Sequence, residues 1–367
     1  MPLFDVLPVD KKFYREKLEE FLPDRIFDVH AHVFQKTKAS SEPAGKTVTW
    51  PSRVADCNPV EDLEETSALM FPGKKYVPLM FGVTAKADAN GDPNAYVSTV
   101  SKERGYPALL FTGPDTEPDK LEADIINGGF EGIKVYLTLA PDYIPVNEIR
   151  IFDFLTHEHL EVMDRHGWVV MLHISRPARL RDPLNLAQLL EIERRYRNLH
   201  LIVAHVGRAY CNSDAGDAFE VLKSTKRMLF EISANTNSWI FEQLIRMAGP
   251  SRILFGSDLP ITRMRMKRIE RDGIYVNLVP RGLYGDVSGD KNMGELDPPE
   301  SDQLTFFLYE EIEAFRQAAV RTKLSREDVE RVFWGNAAGL LEYNDRMINN
   351  TVASKNVSDG NNAATLS

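Results

Sequence analysis

Eight short runs of β-branched and aromatic residues recur along the chain, and most are separated by a polar stretch with helical periodicity. This alternation restricts the fold more than any other feature. The runs are RIFDVHAH (25–32), YVPLMFGVTA (76–85), PALLFTGP (107–114), GIKVYLTL (132–139), WVVMLHIS (168–175), LHLIVAHV (199–206), MLFEISAN (228–235) and RILFGSDLP (252–260). They are near-continuous in apolar residues, as expected of parallel strands covered on both faces. The intervening segments, such as DPNAYVSTVSKERG and SWIFEQLIRMAG, open near Asp, Glu, Ser or Pro, and most close on Gly or Asn. Spacing alone leaves a parallel barrel and a doubly wound sheet both open.

The polar residues that interrupt the runs choose between them. His30 and His32 sit on the first run, His173 on the fifth, His205 on the sixth and Asp258 on the eighth, each near the C-terminal end. An imidazole or carboxylate inside an apolar strand is costly unless it is hydrogen-bonded or bound to metal. In a (β/α)8 barrel the C-terminal strand ends converge on one cavity. Four imidazoles and a carboxylate brought there make a borderline N/O site suited to Zn, Mn or Fe. Residues two apart on a strand share a face, so His30 and His32 both face inward while Ala31 points away. Singly, His173 or His205 reads as a hydrogen-bonded core histidine and Asp258 as a helix cap. The conjunction points to an α/β chain folded as a (β/α)8 TIM barrel.

The pieces FDVHAH, GIKVY, VVMLHIS, LIVAHVGR, ILFGSDLP and VFWGNAAGLL resemble the amidohydrolase superfamily, and within it the amidohydrolase-related branch of metal-dependent hydrolases and non-oxidative decarboxylases. The resemblance covers roughly residues 24–260 and 325–341. It implies that His30, His32, His173 and Asp258 hold one divalent metal, Zn before Mn or Fe, with His205 beside it as an acid–base or electrostatic group. Asp258 would take a proton from water and His205 would steady the developing oxyanion. Asn336 would be structural. Lys134 in GIKVY is the candidate bridge to a second metal; it lies earlier in its strand than the other ligands do in theirs, so one metal is the expectation.

Such a site serves a hydrolase acting on a small carboxylated or cyclic ester or amide. It serves equally a non-oxidative decarboxylase, in which an arginine would grip the substrate carboxylate. Arg176, three residues after His173, and Arg208, three after His205, are the candidates for substrate binding. Trp50, Arg53, Tyr136, Trp239 and Arg281 are further candidates by position alone. Sugar-acid isomerisation is a more distant reading. A barrel retired to binding or assembly would be expected to lack stoichiometric metal.

Domain organisation follows from the same alternation. Residues 1–345 are expected to form a single barrel domain with insertions at 33–59 and 261–302, which would overhang the mouth or serve a homo-oligomer contact. Two helices, roughly 303–323 and 326–341, close the barrel, the second opened by Ser325 with Asp328 in capping-box spacing. The Asn/Ser/Gly-rich tail 346–367 is expected to be disordered. A net charge of −10 makes nucleic acid an unsuitable partner, and a small molecule is the expected one. Cys57 and Cys211 are too few for a disulfide framework. Without a signal-like N-terminus or an apolar run of about 20 residues, no membrane partner and a cytoplasmic location are expected.

Overall fold

The computed structural model describes residues 3–35, 50–83 and 92–343, leaving aside the side chain of Trp50. Residues 36–49 of the expected first insertion and the tail from 346 lie outside the described residues. Every apolar run carries a strand: β1 Arg25–His32, β2 Lys75–Phe81, β3 Leu110–Phe111, β4 Gly132–Val135, β5 Val169–Leu172, β6 His200–Val203, β7 Leu229–Glu231 and β8 Ile253–Leu254. Most strands are shorter than their runs.

All these pairings are parallel. β1 pairs with β2, and β3 to β8 pair in sequence order. Parallel bridges Met80↔Ala108 and Ala31↔Leu259 then join β1–β2 to the two ends of the six-stranded sheet. At the second junction Val29 N donates to Phe255 O, Asp258 N to His30 O and His32 N to Leu259 O, all within 2.8–2.9 Å. The alternation of side chains builds two cores. Ile133, Val135, Val170, Leu172, Leu201 and Val203 face the helices. Phe27, Val29, Val77, Leu79, Val169, Met171 and Ile202 meet on the inner face, where Trp334 and Ala337 join them.

Helices follow the strands where the caps require them. The side chains of Asp92, Thr156, Asp182 and Asn237 each accept a backbone N–H of the first helical turn. Ser325 and Asp328 form the expected capping box. Asn336 donates to Pro250 O and Ile253 O at 2.7 and 2.8 Å, pinning the last helical segment beneath β8. Among the described residues no helix is long and apolar enough to cross a membrane.

Residues 261–302 form a small sheet of their own. β9 (Lys267–Arg271) pairs antiparallel with β10 (Ile274–Pro280), and β10 pairs parallel with β11 (Met293–Leu296). The two-residue turn Asp272-Gly273, with φ of 52° and 75°, has the positive dihedrals that a tight hairpin of this twist demands. Several arginines of this segment turn inward. Arg263 donates to Val54 O and Thr66. Arg265 makes a two-pronged pair with Asp10, both bonds 2.7 Å, and also reaches Leu304 O. Asp10 is fully buried and takes further donors from Leu7 N and Thr305.

This pair staples the N-terminal helix Pro8–Phe13 to the segment after β8. Removing Asp10 strands a buried guanidinium, so Asp10→Ala should destabilise the chain by ~3–5 kcal/mol. Urea unfolding followed by tryptophan fluorescence measures this. Adding Arg265→Met should recover most of the loss; no recovery would mean the pair is not what holds the helix.

Candidate metal centre

Four imidazoles and a carboxylate gather where the strands end. His30 and His32 come from β1, whose register against β2 shifts between Asp28 and Ala31. Asp28 causes that local geometry. Its buried carboxylate accepts His30 N and Ser257 N at 2.9 and 2.8 Å, and the hydroxyls of Tyr76 and Ser257. Burial pushes its pKa up to about 6 against the pull of those hydrogen bonds. Asp258 follows β8 in a left-handed conformation, φ 57°, with its N–H on His30 O.

The two histidines converge on one atom. His30 Nε2 lies 3.4 Å and His32 Nε2 3.3 Å from Asp258 Oδ1. Their other nitrogens are already engaged: His30 Nδ1 on Glu231 Oε1 at 3.0 Å, and His32 Nδ1 on Gly82 O at 2.8 Å. Both acceptors lack a hydrogen, so each ring carries its proton at Nδ1 and aims an Nε2 lone pair at a carboxylate. Lone pairs facing an anion repel unless a cation sits between them. The donor set of two imidazoles and a carboxylate fits a borderline dication.

His173 and His205 stand next to this group. His173 is buried and its Nδ1 has no hydrogen-bond partner among the described residues. Its ring packs 4.2 Å from Tyr136 and 5.2 Å from His205. His205 Nδ1 meets Ser233 O at 3.1 Å and Ser233 Oγ at 2.9 Å, and its ring lies 4.8 Å from that of His30. The structure therefore gathers His30, His32 and Asp258 tightly and sets His173 and His205 one ring further along. Burial holds His30 and His173 well below the ordinary histidine value and lowers His205 as well, so all three favour the neutral, ligating form. Asp258 goes the other way: burial opposes ionisation, but the imidazoles packed against its carboxylate, His32 foremost, lower it to about 2.

A second cluster of possible donors, His30, His205 and Glu231, is held by different atoms. Glu231 Oε1 accepts His30 Nδ1 and His205 N, and Oε2 accepts Ser233 N at 2.6 Å. Its bonds to His30 and His205 reach ring Nδ1 or backbone N–H, not Nε2. Glu231 thus orients two imidazoles from behind, and the Nε2 group is the better cradle. Sequence reasoning missed Glu231, Asp28 and Ser233. For the two acids the signal was there: a carboxylate inside an apolar run, the same anomaly that marked the histidines.

The remaining predicted residues divide. Arg176 is held by Asp182 at 2.9 Å and Glu148 O. Arg208 touches only Ile174 O, at 3.4 Å, and pairs with no carboxylate among the described residues. Arg281 pairs with Glu295 and Asp297. Lys134, 1% exposed on β4, faces inward with its ammonium 5.0 Å from the Phe81 ring and no hydrogen-bond partner among the described residues. Burial lowers its pKa from 10.5 to about 8 while Glu231 and Asp258 pull it up.

This lysine has a testable consequence. Between about 8 and 10.5 the unfolded chain keeps a proton that the folded chain has released, so the Lys134 contribution to stability rises with pH across that window. In metal-stripped protein, Lys134→Met should therefore be more stable than the parent at pH 7 by ~1–3 kcal/mol. The advantage should shrink as pH climbs from 8 to 10, read by urea unfolding at each pH. A constant difference would mean that the ammonium is not desolvated.

The family described as amidohydrolase matches residues 27–342, and the chain belongs to it. No curated protein matches the sequence. Among solved structures, a probable 2-pyrone-4,6-dicarboxylic acid hydrolase from Acinetobacter baumannii is similar at 14% identity and TM-score 0.51, over 87% of this chain and 99% of that one. An amidohydrolase from Burkholderia multivorans with bound zinc is similar at 13% identity and TM-score 0.52, over 86% and 99%. A dihydroxybenzoic acid decarboxylase from Polaromonas sp. JS666, with bound manganese and the inhibitor 2-nitroresorcinol, is similar at 14% identity and TM-score 0.50, over 88% and 97%. At these identities the likeness carries the fold.

Proposed function

We propose that this amidohydrolase-family chain is a metal-dependent hydrolase built on a (β/α)8 barrel, acting on a small carboxylated or cyclic ester or amide. The observation that carries the reading is the convergence of His30 Nε2 and His32 Nε2 on Asp258 Oδ1, with both Nδ1 atoms already spent on acceptors. One divalent ion, Zn or Mn, would be held by these three, with buried His173 as the fourth ligand. When bound, the ion supplies Lewis-acid polarisation of a substrate oxygen and makes water more acidic.

The chain's own residues do the rest. Asp258, ionised across the physiological range, accepts the proton of the attacking water and returns it to the leaving group. His205, its Nδ1–H fixed on Ser233, presents Nε2 to the site and steadies the substrate oxygen or shuttles a proton. Arg208, free of carboxylate partners among the described residues, grips the substrate carboxylate. Arg176 is engaged with Asp182, which leaves Arg208 the freer of the two candidate arginines. Lys134 stays outside the ligand set as a buried positive group.

A decarboxylase on the same frame is the second reading, and the same open Arg208 favours it. The discriminating chemistry is the direction of the first proton. A hydrolase needs Asp258 to start as a base; a decarboxylase needs a group that delivers a proton to carbon.

Mass-spectrometric metal content separates these proposals from their failure. Native protein should carry about one Zn or Mn per chain, Lys134→Ala the same, and Asp258→Asn much less. Turnover is then screened on lactones, amides and aromatic carboxylic acids, with release of CO2 marking the decarboxylase. Two metals with one lost in Lys134→Ala would move the lysine into the ligand set. No metal after growth with added Zn and Mn would sink the enzyme reading.

A further inference from the structure

We propose that Arg268 and Glu311 are positioning residues that fix the tautomer and orientation of His205 by gripping the peptide groups of Ala234 from two sides. Neither belongs to the eight strands. Arg268 comes from β9 of the small sheet, and Glu311 from the helix Phe307–Thr322. The inference rests on the reading of His205 as a working group of the site.

The geometry is continuous from surface element to imidazole. Arg268 Nη1 donates to Ala234 O at 2.6 Å, and Ala234 N donates to Glu311 Oε2 at 2.7 Å. Ala234 is held between them at φ 51°, a left-handed conformation that an alanine adopts only under constraint. One residue earlier, Ser233 gives its N–H to Glu231 and its carbonyl and hydroxyl to His205 Nδ1. A rotation of the 233–234 peptide would carry the Ser233 carbonyl away from His205. Without that carbonyl only the Ser233 hydroxyl is left at Nδ1, and a hydroxyl donates as readily as it accepts, so nothing fixes the proton there.

Both gripping residues are placed at a cost that a mere fastener would not need. The Arg268 guanidinium is half-buried, with the rings of Tyr210, Tyr275 and Phe307 4.6–4.7 Å away and Asn277 Oδ1 accepting from Nε. No carboxylate pairs with it among the described residues, so its charge is balanced by π faces and a carbonyl alone. Glu311 is fully buried and its Oε1 has no partner among the described residues. Burial, and then the charge of Glu231, push its pKa well above the carboxylate range, so it acts as a neutral acid whose carbonyl-type oxygen receives Ala234 N–H. A glutamine can do the same. The segment after β8 thereby reaches the His205 ring through two hydrogen bonds.

The test uses the full chain as purified, with histidine rings labelled with nitrogen-15, and assigns His205 by its disappearance in His205→Gln. The parent should show His205 in the single Nδ1–H tautomer. Arg268→Met and Glu311→Leu should lose that signature, with the Nε2 resonance shifting toward the protonated position. Glu311→Gln should keep it. His32, whose Nδ1 rests on Gly82 O outside this turn, should be unchanged throughout and serves as the internal control. Folded Arg268→Met with an unaltered His205 signal overturns the proposal, as does loss of the signature in Glu311→Gln. Should Glu311→Leu not fold, those two variants decide alone. No turnover or metal is needed for the readout, so a negative here leaves the hydrolase reading standing, and a metal-free protein leaves this one testable.

Discussion

Glu231 is fully buried at the inner end of β7, out of reach of water, and each of its oxygens must be met by a protein donor. Three donors meet it, from His30, His205 and Ser233. That requirement shapes the surrounding backbone. To aim the N–H of His205 at Glu231, the chain after β6 turns left-handed through His205, Val206, Gly207 and Arg208, with φ of 49–61°. A β-branched Val206 in that region is costly, and the carboxylate offsets the cost. The approach of β8 is constrained as well. A Cβ on Gly256 would fall 2.8 Å from Glu231 Oε2 and 2.9 Å from His30 Cβ, so only glycine lets the strand pass.

From this hub the site is assembled in layers. Asp28 fixes the backbone of His30 and Ser257, and thereby the position of Asp258, while Glu231 fixes the His30 ring. The outer elements hold the layer above. Arg265 ties the N-terminal helix to the segment after β8, and Arg268 ties that segment to the turn after β7. Arg263, Arg265 and Arg268 of the segment after β8 are internal fasteners, each directed at a carbonyl or a buried carboxylate.

Much of this was legible beforehand, for stated reasons. The eight strands could be read because parallel strands covered on both faces are apolar at every position. His30, His32 and Asp258 could be read because polar groups in such runs are anomalies, and the structure does bring them to one point. Glu231 and Asp28 carried the same anomaly and were passed over, since an acid has more ordinary roles than a pair of histidines. Ser233, Arg268 and Glu311 could not be read at all. Their roles depend on the left-handed turn at Ala234 and on a helix 77 residues away from it, and neither leaves a periodic trace. The small sheet was hidden for a related reason: its hairpin signal, Asp272-Gly273, sits inside a stretch whose charges mask the alternation.

The central claim is that a single metal sits on the Nε2 side of the histidines, with Glu231 behind them as an orienting group. Anomalous diffraction at the zinc edge, from crystals of the zinc-loaded chain, tests it directly. The account predicts one peak within ~2.0–2.2 Å of His30 Nε2, His32 Nε2 and an Asp258 oxygen, with His30 Nδ1 still on Glu231. A peak bound to Glu231 and His205, or a second peak against Lys134, would contradict it.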